Sequence, residues 1–442
     1  MSSSRNLFLP RSIARLGIAA LAAGALAACG SPTSPAVDGA RWLEPTGVSV
    51  RFDAARYADF DDYRRQTAAH LARHKVYLDP TQVDAELAAA TPFRVAPDPG
   101  CEGAGPRRGI VLMHGLSDMP AAMGDVARAF AERCVTAYSM LLPGHGARPA
   151  ELLDVRAEDW LATARFGVES LREEVDEVFV GGFSLGGLLA LRTALDDPSI
   201  AGVVAFSPAL ALHRSALVDQ SIWLRHLVDW LDTDPPDDPW RFEAVPFNAL
   251  AETQLLGRRV RAELARRGLA TPVFIAQSGD DAVVDAAANR ALFDAHMVHP
   301  ASRLLGFEPI DAVAGPGTAR DAVGGATAPR VLRLPSELPA ERVLSYSHQA
   351  VHIAPDNPHY GVRGTYRNCH LNIGNADAVA LERCRTIETP WRGEVFGAAV
   401  ARYDRASLDT LARLTFNPQF DALFDEIERF LVTVAARGNS PA

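Results

Sequence analysis

A serine stands between two glycines in a setting that could make it a nucleophile. Gly182-x-Ser184-x-Gly186 follows an apolar, strand-like run and precedes a helical one. A turn this tight leaves no room for side chains beside the serine, and it holds the hydroxyl above the sheet in a strained backbone conformation. The pattern predicts Ser184 as the nucleophile. The alternative is a glycine-rich turn whose serine has no chemical role.

A serine hydroxyl is a weak nucleophile unless a base takes its proton and an acid orients that base. Asp280 and Asp281 follow one later apolar run, and either could be the acid. His348 lies just beyond a strand predicted at 343–346, and His352 lies four residues further on. We favour His348 as the base because it lies at the strand end, with His352 as its rival.

Other residues near these runs have simpler interpretations. His114 and His145 precede the serine, and we expect them to support loops. His359 and His370 lie in a later loop, and we expect them at the surface. Asp285 is predicted to cap the start of a helix.

Apolar, strand-like runs alternate with helical segments over most of the chain. The strand-like runs are 109–113, 135–142, 175–181, 200–206, 272–277 and 343–346, and the helical segments are 57–77, 83–90, 121–134, 160–171, 185–195 and 423–434. This alternation predicts an α/β fold with a mainly parallel sheet covered by helices on both faces. The candidate residues lie after strands, at the carboxyl edge where such sheets carry their sites.

Three motifs resemble those of the α/β-hydrolase superfamily, in the branch of monoacylglycerol lipases, serine aminopeptidase-like hydrolases and bacterial carboxylesterases. They are His-Gly-Leu-Ser-Asp-Met-Pro at 114–120, Leu-Pro-Gly-His-Gly at 142–146 and Gly-Phe-Ser-Leu-Gly-Gly at 182–187. The resemblance runs from about residue 108 to 436. It implies the α/β-hydrolase fold, a helical cap insertion at about 209–270, and hydrolysis of acyl esters without a metal or organic cofactor.

The resemblance also assigns roles to individual residues. The superfamily places its residues in the order nucleophile, acid, base, and its acid commonly stands in an Asp-x-Val-Val pattern. This selects Asp281 over Asp280 and agrees with His348 as the base. The backbone N–H groups of Leu116 and Leu185 are the candidate donors of an oxyanion hole.

Two departures from the family pattern could reshape the substrate pocket. The segment 285–341, between the candidate acid and the candidate base, is long, and residues from about 350 to 415 form an insertion. We expect a carboxylesterase or lipase acting on a small-molecule or lipid ester through a Ser-His-Asp triad and an acyl-enzyme. One alternative is an amidase or aminopeptidase with the same triad. Another is a non-catalytic envelope protein on a hydrolase scaffold.

The N-terminus has the pattern of an export signal. Three arginines precede a short apolar run at 16–28, which is too short to span a bilayer. The sequence Leu-Ala-Ala-Cys at 26–29 resembles the lipobox of bacterial lipoproteins, which implies a signal peptide at 1–28 and lipid on Cys29. The alternative is a plain signal peptide.

An acylated cysteine would anchor the protein to the cell envelope. Gly30 is not the aspartate that would favour retention in the inner membrane, so we expect the outer membrane. Residues 29–48 are predicted to be a flexible tether, 49–100 an N-terminal helical extension and 101–436 the α/β-hydrolase domain.

Four cysteines remain after Cys29, an even number that suits an oxidising compartment. We favour the pairs Cys101–Cys134 and Cys369–Cys384 because their members are close in sequence; the alternative is four free thiols. The 442-residue chain has a net charge of −10, which disfavours nucleic acid as a partner.

Overall fold

A computed structural model of the chain describes residues 41–101, 105–213, 215–234, 236–313, 330–369, 378–404 and 411–438. The predicted signal peptide, Cys29, His370 and the first part of the tether lie outside the described residues. Within the described ranges, no helix is both long and apolar enough to cross a bilayer.

The strands in chain order are β1 Phe93–Val95, β2 Arg108–Met113, β3 Val135–Met140, β4 Glu177–Phe183, β5 Gly202–Phe206, β6 Trp230–Asp232, β7 Val245–Pro246, β8 Val273–Ser278, β9 Arg303–Glu308, β10 Val331–Pro335, β11 Trp391–Gly393 and β12 Leu411–Arg413. Eight of them form one sheet in the order β1-β3-β2-β4-β5-β8-β9-β10. All neighbours in this sheet are parallel except β1, which is antiparallel to β3. The predicted parallel sheet is confirmed.

The helices are α1 Phe60–His74, α2 Val83–Ala90, α3 Gly124–Ala131, α4 Ala157–Arg172, α5 Leu185–Asp196, α6 Ser215–Leu224, α7 Phe247–Arg267, α8 Ala286–His296, α9 Ile310–Val313, α10 Ala378–Thr386 and α11 Phe420–Gly438. They cover both faces of the sheet. Val111 of β2 belongs to the apolar cluster that contains Trp160 of α4, whereas Ile110 belongs to the opposite cluster, with Phe130 of α3. Successive strand residues therefore serve two separate halves of the core.

The N-terminal extension contains the two predicted helices and also strand β1, which pairs with the sheet. Phe60 of α1 stacks on Tyr138 of β3 with ring centroids 4.0 Å apart. The Tyr63 hydroxyl donates a hydrogen bond to the Leu141 carbonyl, with the oxygens 2.9 Å apart. These contacts make the extension part of the main core.

The predicted cap and the predicted insertion contain small elements of their own. Residues 209–270 hold α6, α7 and the antiparallel pair β6–β7, while 350–415 hold α10 and the parallel pair β11–β12. Disulfides join Cys101 to Cys134 and Cys369 to Cys384, which are the pairs that we favoured from the sequence.

The strand predicted at 343–346 is wrong. This segment is irregular, and the last strand of the main sheet is β10. Its apolar residues are buried by side-chain packing instead: the ring of Tyr346 stacks on Phe307 at 4.5 Å. Much of the long stretch 285–341 is regular structure, namely α8, β9 and β10.

Candidate active site

Ser184 occupies the tight turn between β4 and α5. Its φ of 53° and ψ of −110° are strained for a residue with a side chain. A Cβ atom at Gly182 would lie 2.3 Å from the Met113 carbonyl oxygen, and one at Gly186 would lie 1.9 Å from the same oxygen. The close approach of β2 thus requires both glycines and explains why they surround the serine.

The hydroxyl of Ser184 faces an imidazole. The Ser184 Oγ lies 3.0 Å from His348 Nε2, and His348 Nδ1 lies 2.6 Å from Asp281 Oδ2. These distances fit the tautomer in which Nδ1–H donates to the carboxylate and Nε2 accepts from the hydroxyl. The three candidate residues chosen from the sequence therefore lie in one hydrogen-bonded line.

The two adjacent aspartates have different partners. The Asp281 Oδ1 atom accepts the backbone N–H groups of Val283 and Val284 at 2.8 and 2.9 Å, which leaves Oδ2 for His348. Asp280 instead accepts hydrogen bonds from the Ser336 hydroxyl and the Arg402 guanidinium, each at 2.6 Å. Only Asp281 contacts the imidazole, and the local turn over residues 281–284 fixes its orientation.

The rival histidine, His352, does not contact the serine. It is buried, its ring stacks on Phe183 at 4.1 Å, and neither ring nitrogen forms a hydrogen bond with a described residue. Burial, together with the nearby His348, lowers its pKa to about 3. The backbone of Ala122 acts on this pKa in the opposite direction but lies outside hydrogen-bonding geometry.

His114 and His145 support the loops beside the serine, as the sequence predicted. His114 Nε2 accepts the N–H of Leu142, and His145 Nε2 accepts the N–H of Ser117, each at 3.1 Å. Burial lowers the pKa of His145 to about 4, so its ring is a neutral acceptor at neutral pH. The two histidines tie the loop after β2 to the loop after β3 and so position Leu116.

A model of a known protein family matches the part of the chain that contains Ser184 and Asp281. Residues 104–301 match the family model Hydrolase_4, described as serine aminopeptidase, S33. This match covers less than half of the chain. The mainly parallel sheet, covered by helices on both faces, has the α/β-hydrolase fold.

Two curated relatives are similar to part of this chain. A thermostable monoacylglycerol lipase of Bacillus sp. (strain H-257) is 28% identical over 180 residues, which are 40% of this chain and 71% of the relative. A carboxylesterase of Bacillus subtilis (strain 168) is 26% identical over 184 residues, which are 40% of this chain and 74% of the relative.

Two solved structures are also similar to part of this chain. A metagenome-derived lipolytic enzyme is 24% identical with a TM-score of 0.44, over 50% of this chain and 88% of that one. A monoacylglycerol lipase of Paleococcus ferrophilus is 22% identical with a TM-score of 0.42, over 49% of this chain and 88% of that one.

A cavity of about 210 Å³ opens beside Ser184. Both candidate oxyanion donors line it, and the N–H of Leu185 belongs to the first turn of α5, where helix donors lack helix acceptors. Much of the lining is apolar, from Leu116, Phe183, Leu185, Ala209, Leu212, Leu250 and Val283. The charged side chains of the lining are Asp118, Arg241 and Arg413, with His348 beside them.

Sequence reasoning missed Glu394, which contacts the backbone of His348. Its carboxylate is fully buried and accepts the backbone N–H of His348 at 3.3 Å. It also missed Arg241 and Arg413, because an isolated arginine in a loop or short strand forms no motif. Among the described residues, no group of His, Cys, Asp and Glu is arranged to hold a metal ion.

The expectation that His359 lies at the surface is wrong. Its side chain is buried, and Nε2 lies 2.8 Å from Asp238 Oδ1. Its ring stacks on Trp240 with centroids 4.7 Å apart. The loop that carries His359 folds inward because Asp238, 121 residues earlier, gives the imidazole a buried acceptor.

Proposed function

We propose that this α/β hydrolase cleaves carboxylic esters through Ser184, His348 and Asp281. The observation that carries the proposal is the hydrogen-bonded line from hydroxyl to imidazole to buried carboxylate. Such a line supplies the nucleophile with a base, and it supplies that base with a group that stabilises its protonated form.

The proposed reaction has two halves. The Ser184 oxygen forms a bond to the ester carbonyl carbon while its proton passes to His348 Nε2. His348 then returns the proton to the departing alcohol as the ester C–O bond breaks, and an acyl-enzyme remains. A water molecule next gives a proton to His348 Nε2 and attacks the acyl carbon, and His348 returns that proton to Ser184 Oγ as the bond between Oγ and the acyl carbon breaks, which releases the acid and restores the serine. The N–H groups of Leu116 and Leu185 would stabilise the negative oxygen in both halves.

Esters are favoured over amides by the names of the relatives, a monoacylglycerol lipase and a carboxylesterase. The partly apolar cavity would suit the acyl chain of a lipid ester. The description of the matched family as a serine aminopeptidase supports a second candidate, amide hydrolysis by the same three residues. A panel of 4-nitrophenyl esters and aminoacyl 4-nitroanilides would separate the two reactions.

The decisive experiment compares the wild type with Ser184→Ala on 4-nitrophenyl esters of several acyl lengths. We expect the variant to lose about 10⁴-fold or more in turnover while its circular dichroism spectrum is unchanged. Equal turnover by both proteins would refute the proposal. Failure of a fluorophosphonate probe to label Ser184 in the folded wild type would favour a non-catalytic envelope protein.

We also propose that lipid on Cys29 anchors the enzyme to the cell envelope, in the outer membrane. The support is the sequence alone: a basic start, a short apolar run and a cysteine after Leu-Ala-Ala. An anchored enzyme would meet its substrates at or near a lipid surface.

A further inference from the structure

The cavity beside Ser184 contains more positive charge than a site for neutral esters needs. Arg413 and Arg241 line it from two distant parts of the chain, and Asp118 is the one carboxylate among the described lining residues. Two glutamates stand next to these arginines, but neither of them lines the cavity.

Arg413 is buried and has an unused hydrogen-bond donor. Its side chain is 7% exposed, and its Nε lies 3.5 Å from Glu394 Oε1 without forming a hydrogen bond. The Glu394 oxygens are already used, because Oε1 accepts the N–H of Val395 at 2.8 Å and Oε2 accepts that of His348. A guanidinium has five N–H donors, and the Nε–H of this one forms no hydrogen bond with a described residue, while its Cζ lies 5.7 Å from the ring centroid of Phe396.

Arg241 also lines the cavity, and its side chain is 21% exposed. Its backbone pairs with Asp118, and the next residue, Phe242, donates its N–H to the Ser117 carbonyl at 2.8 Å. Its Nε lies 3.4 Å from Glu243 Oε1, and neither of these atoms forms a hydrogen bond. Burial raises the pKa of Glu243, which weakens that carboxylate as a counter-ion near neutral pH.

Asp118 opposes this positive charge only in part. Burial raises its pKa to about 6, so it loses its negative charge as the pH falls through that value. Even when Asp118 is ionised, the two guanidinium groups outnumber it at the cavity wall. Buried guanidinium donors without acceptors are costly unless a ligand supplies the acceptors.

We propose that Arg413 and Arg241 bind a carboxylate on the substrate, so that the preferred substrates are esters that also carry a free carboxylate. This inference rests on the ester hydrolysis proposed above and names its substrate class. A carboxylate offers two oxygens in the plane that a guanidinium fork matches. Leu212, Leu250 and Val283 would then contact the uncharged part of the substrate.

Arg413 comes from a part of the chain that the family match does not include. It ends β12 in the predicted insertion, whereas the match covers 104–301. The Arg413 N–H donates to the Asn368 carbonyl at 2.9 Å, next to the disulfide between Cys369 and Cys384. The insertion would therefore supply a specificity residue that the matched core does not carry.

The test uses two matched pairs of esters with the full-length enzyme. Mono-4-nitrophenyl adipate and 4-nitrophenyl hexanoate differ by a carboxylate on the acyl side. 4-Hexanoyloxybenzoate and its methyl ester differ by a carboxylate on the alcohol side. The kcat/KM of each ester is divided by its rate constant for hydroxide-catalysed hydrolysis. We expect this normalised kcat/KM to be about 10- to 100-fold higher for the charged member of at least one pair.

Arg413→Gln and Arg241→Gln should each reduce that charged-to-neutral ratio by about tenfold or more, and Arg413→Lys should keep part of it. Arg192→Gln, on the outer surface of α5, is the matched control and should leave the ratio unchanged. If Arg413→Gln does not fold, the wild-type ratio and Arg241→Gln decide.

Two results would overturn the proposal in different ways. Turnover of both members of each pair with equal kcat/KM in the wild type, or a preference that survives both glutamine variants, would remove the carboxylate site and leave ester hydrolysis standing. No turnover of any of the four esters would refute the ester hydrolysis itself and the carboxylate site with it.

Discussion

His348 Nε2 lies 3.0 Å from Ser184 Oγ although 164 residues separate them in the chain. The pairing predicts that His348→Ala loses about 10³-fold or more in kcat on a 4-nitrophenyl ester, because no other base among the described residues forms a hydrogen bond with the hydroxyl. His352→Phe is the matched variant, since it keeps an aromatic ring against Phe183 and should retain turnover. Steady-state kinetics of the two variants checks this assignment, and a reversed outcome would transfer the role of the base to His352.

The neighbouring aspartates allow an equally direct comparison. Asp281→Asn should lower kcat by about 10³- to 10⁴-fold, because an amide cannot hold the imidazole in the required tautomer. Asp280→Asn should retain turnover but lower the free energy of unfolding by about 1–3 kcal/mol, because it weakens buried contacts to Ser336 and Arg402. Kinetics and urea denaturation measure the two effects separately. Equal kinetic losses would contradict distinct roles.

Buried neutral histidines should make the enzyme sensitive to acid. Burial lowers the pKa of His145 to about 4 and that of His352 to about 3, below the value of about 6.5 in an unfolded chain. Protons therefore bind preferentially to the unfolded chain as the pH falls from about 6.5 to 4, and each histidine costs about 1.4 kcal/mol of stability per pH unit there.

His352→Phe isolates one of these contributions. Relative to the wild type, its free energy of unfolding should rise by about 3 kcal/mol between pH 6.5 and pH 4. Asp118 and Glu243, whose raised pKa values favour the folded protein in acid, are common to both proteins and cancel in the difference. Denaturation curves at several pH values give the result, and two parallel stability profiles would contradict it.

The two disulfides should stabilise different parts of the protein. Replacing Cys369 and Cys384 by serine should cost about 3 kcal/mol, and replacing Cys101 and Cys134, which close a longer loop, about 4 kcal/mol. Loss of the Cys369–Cys384 disulfide should also direct limited proteolysis to 378–386, the helix that contains Cys384. Urea denaturation and mapping of the cleaved peptides distinguish local from global loosening. Identical fragments from both double variants would argue against local bracing.

The anchor can be tested in a bacterial host that processes lipoproteins. The wild type should enter the membrane fraction and carry an intact mass that includes a lipidated Cys29, whereas Cys29→Ala should do neither. A wild-type protein that is cleaved near Ala28 but carries no lipid would establish the plain signal peptide instead.

Local patterns predicted which residues lie in the hydrogen-bonded line better than they predicted the elements around it. The glycines beside Ser184 and the Asp-x-Val-Val turn at Asp281 mark backbone geometry within a few residues, so the sequence reveals them. His348 was predicted correctly as the partner of Ser184 even though the strand before it is absent, because its residue type and place in the chain order were enough.

Contacts between distant segments could not be predicted. Arg241 and Arg413 line one cavity although they are far apart in sequence and neither belongs to a motif. The burial of His359 depends on Asp238, an acceptor that only the folded chain places beside it. Polar residues in long loops are usually exposed, so the correct outcome needed the tertiary structure.

Strand β1 also has a practical consequence for handling the protein. It pairs with β3 through Phe93, Arg94 and Val95, so that backbone groups on the outer edge of β3 have hydrogen-bond partners. A chain shortened to begin at residue 104 would leave those groups open and uncover the aromatic face of Tyr138, which invites edge-to-edge aggregation. Shortened chains intended for expression and crystallisation should therefore keep every residue from Phe60 onward.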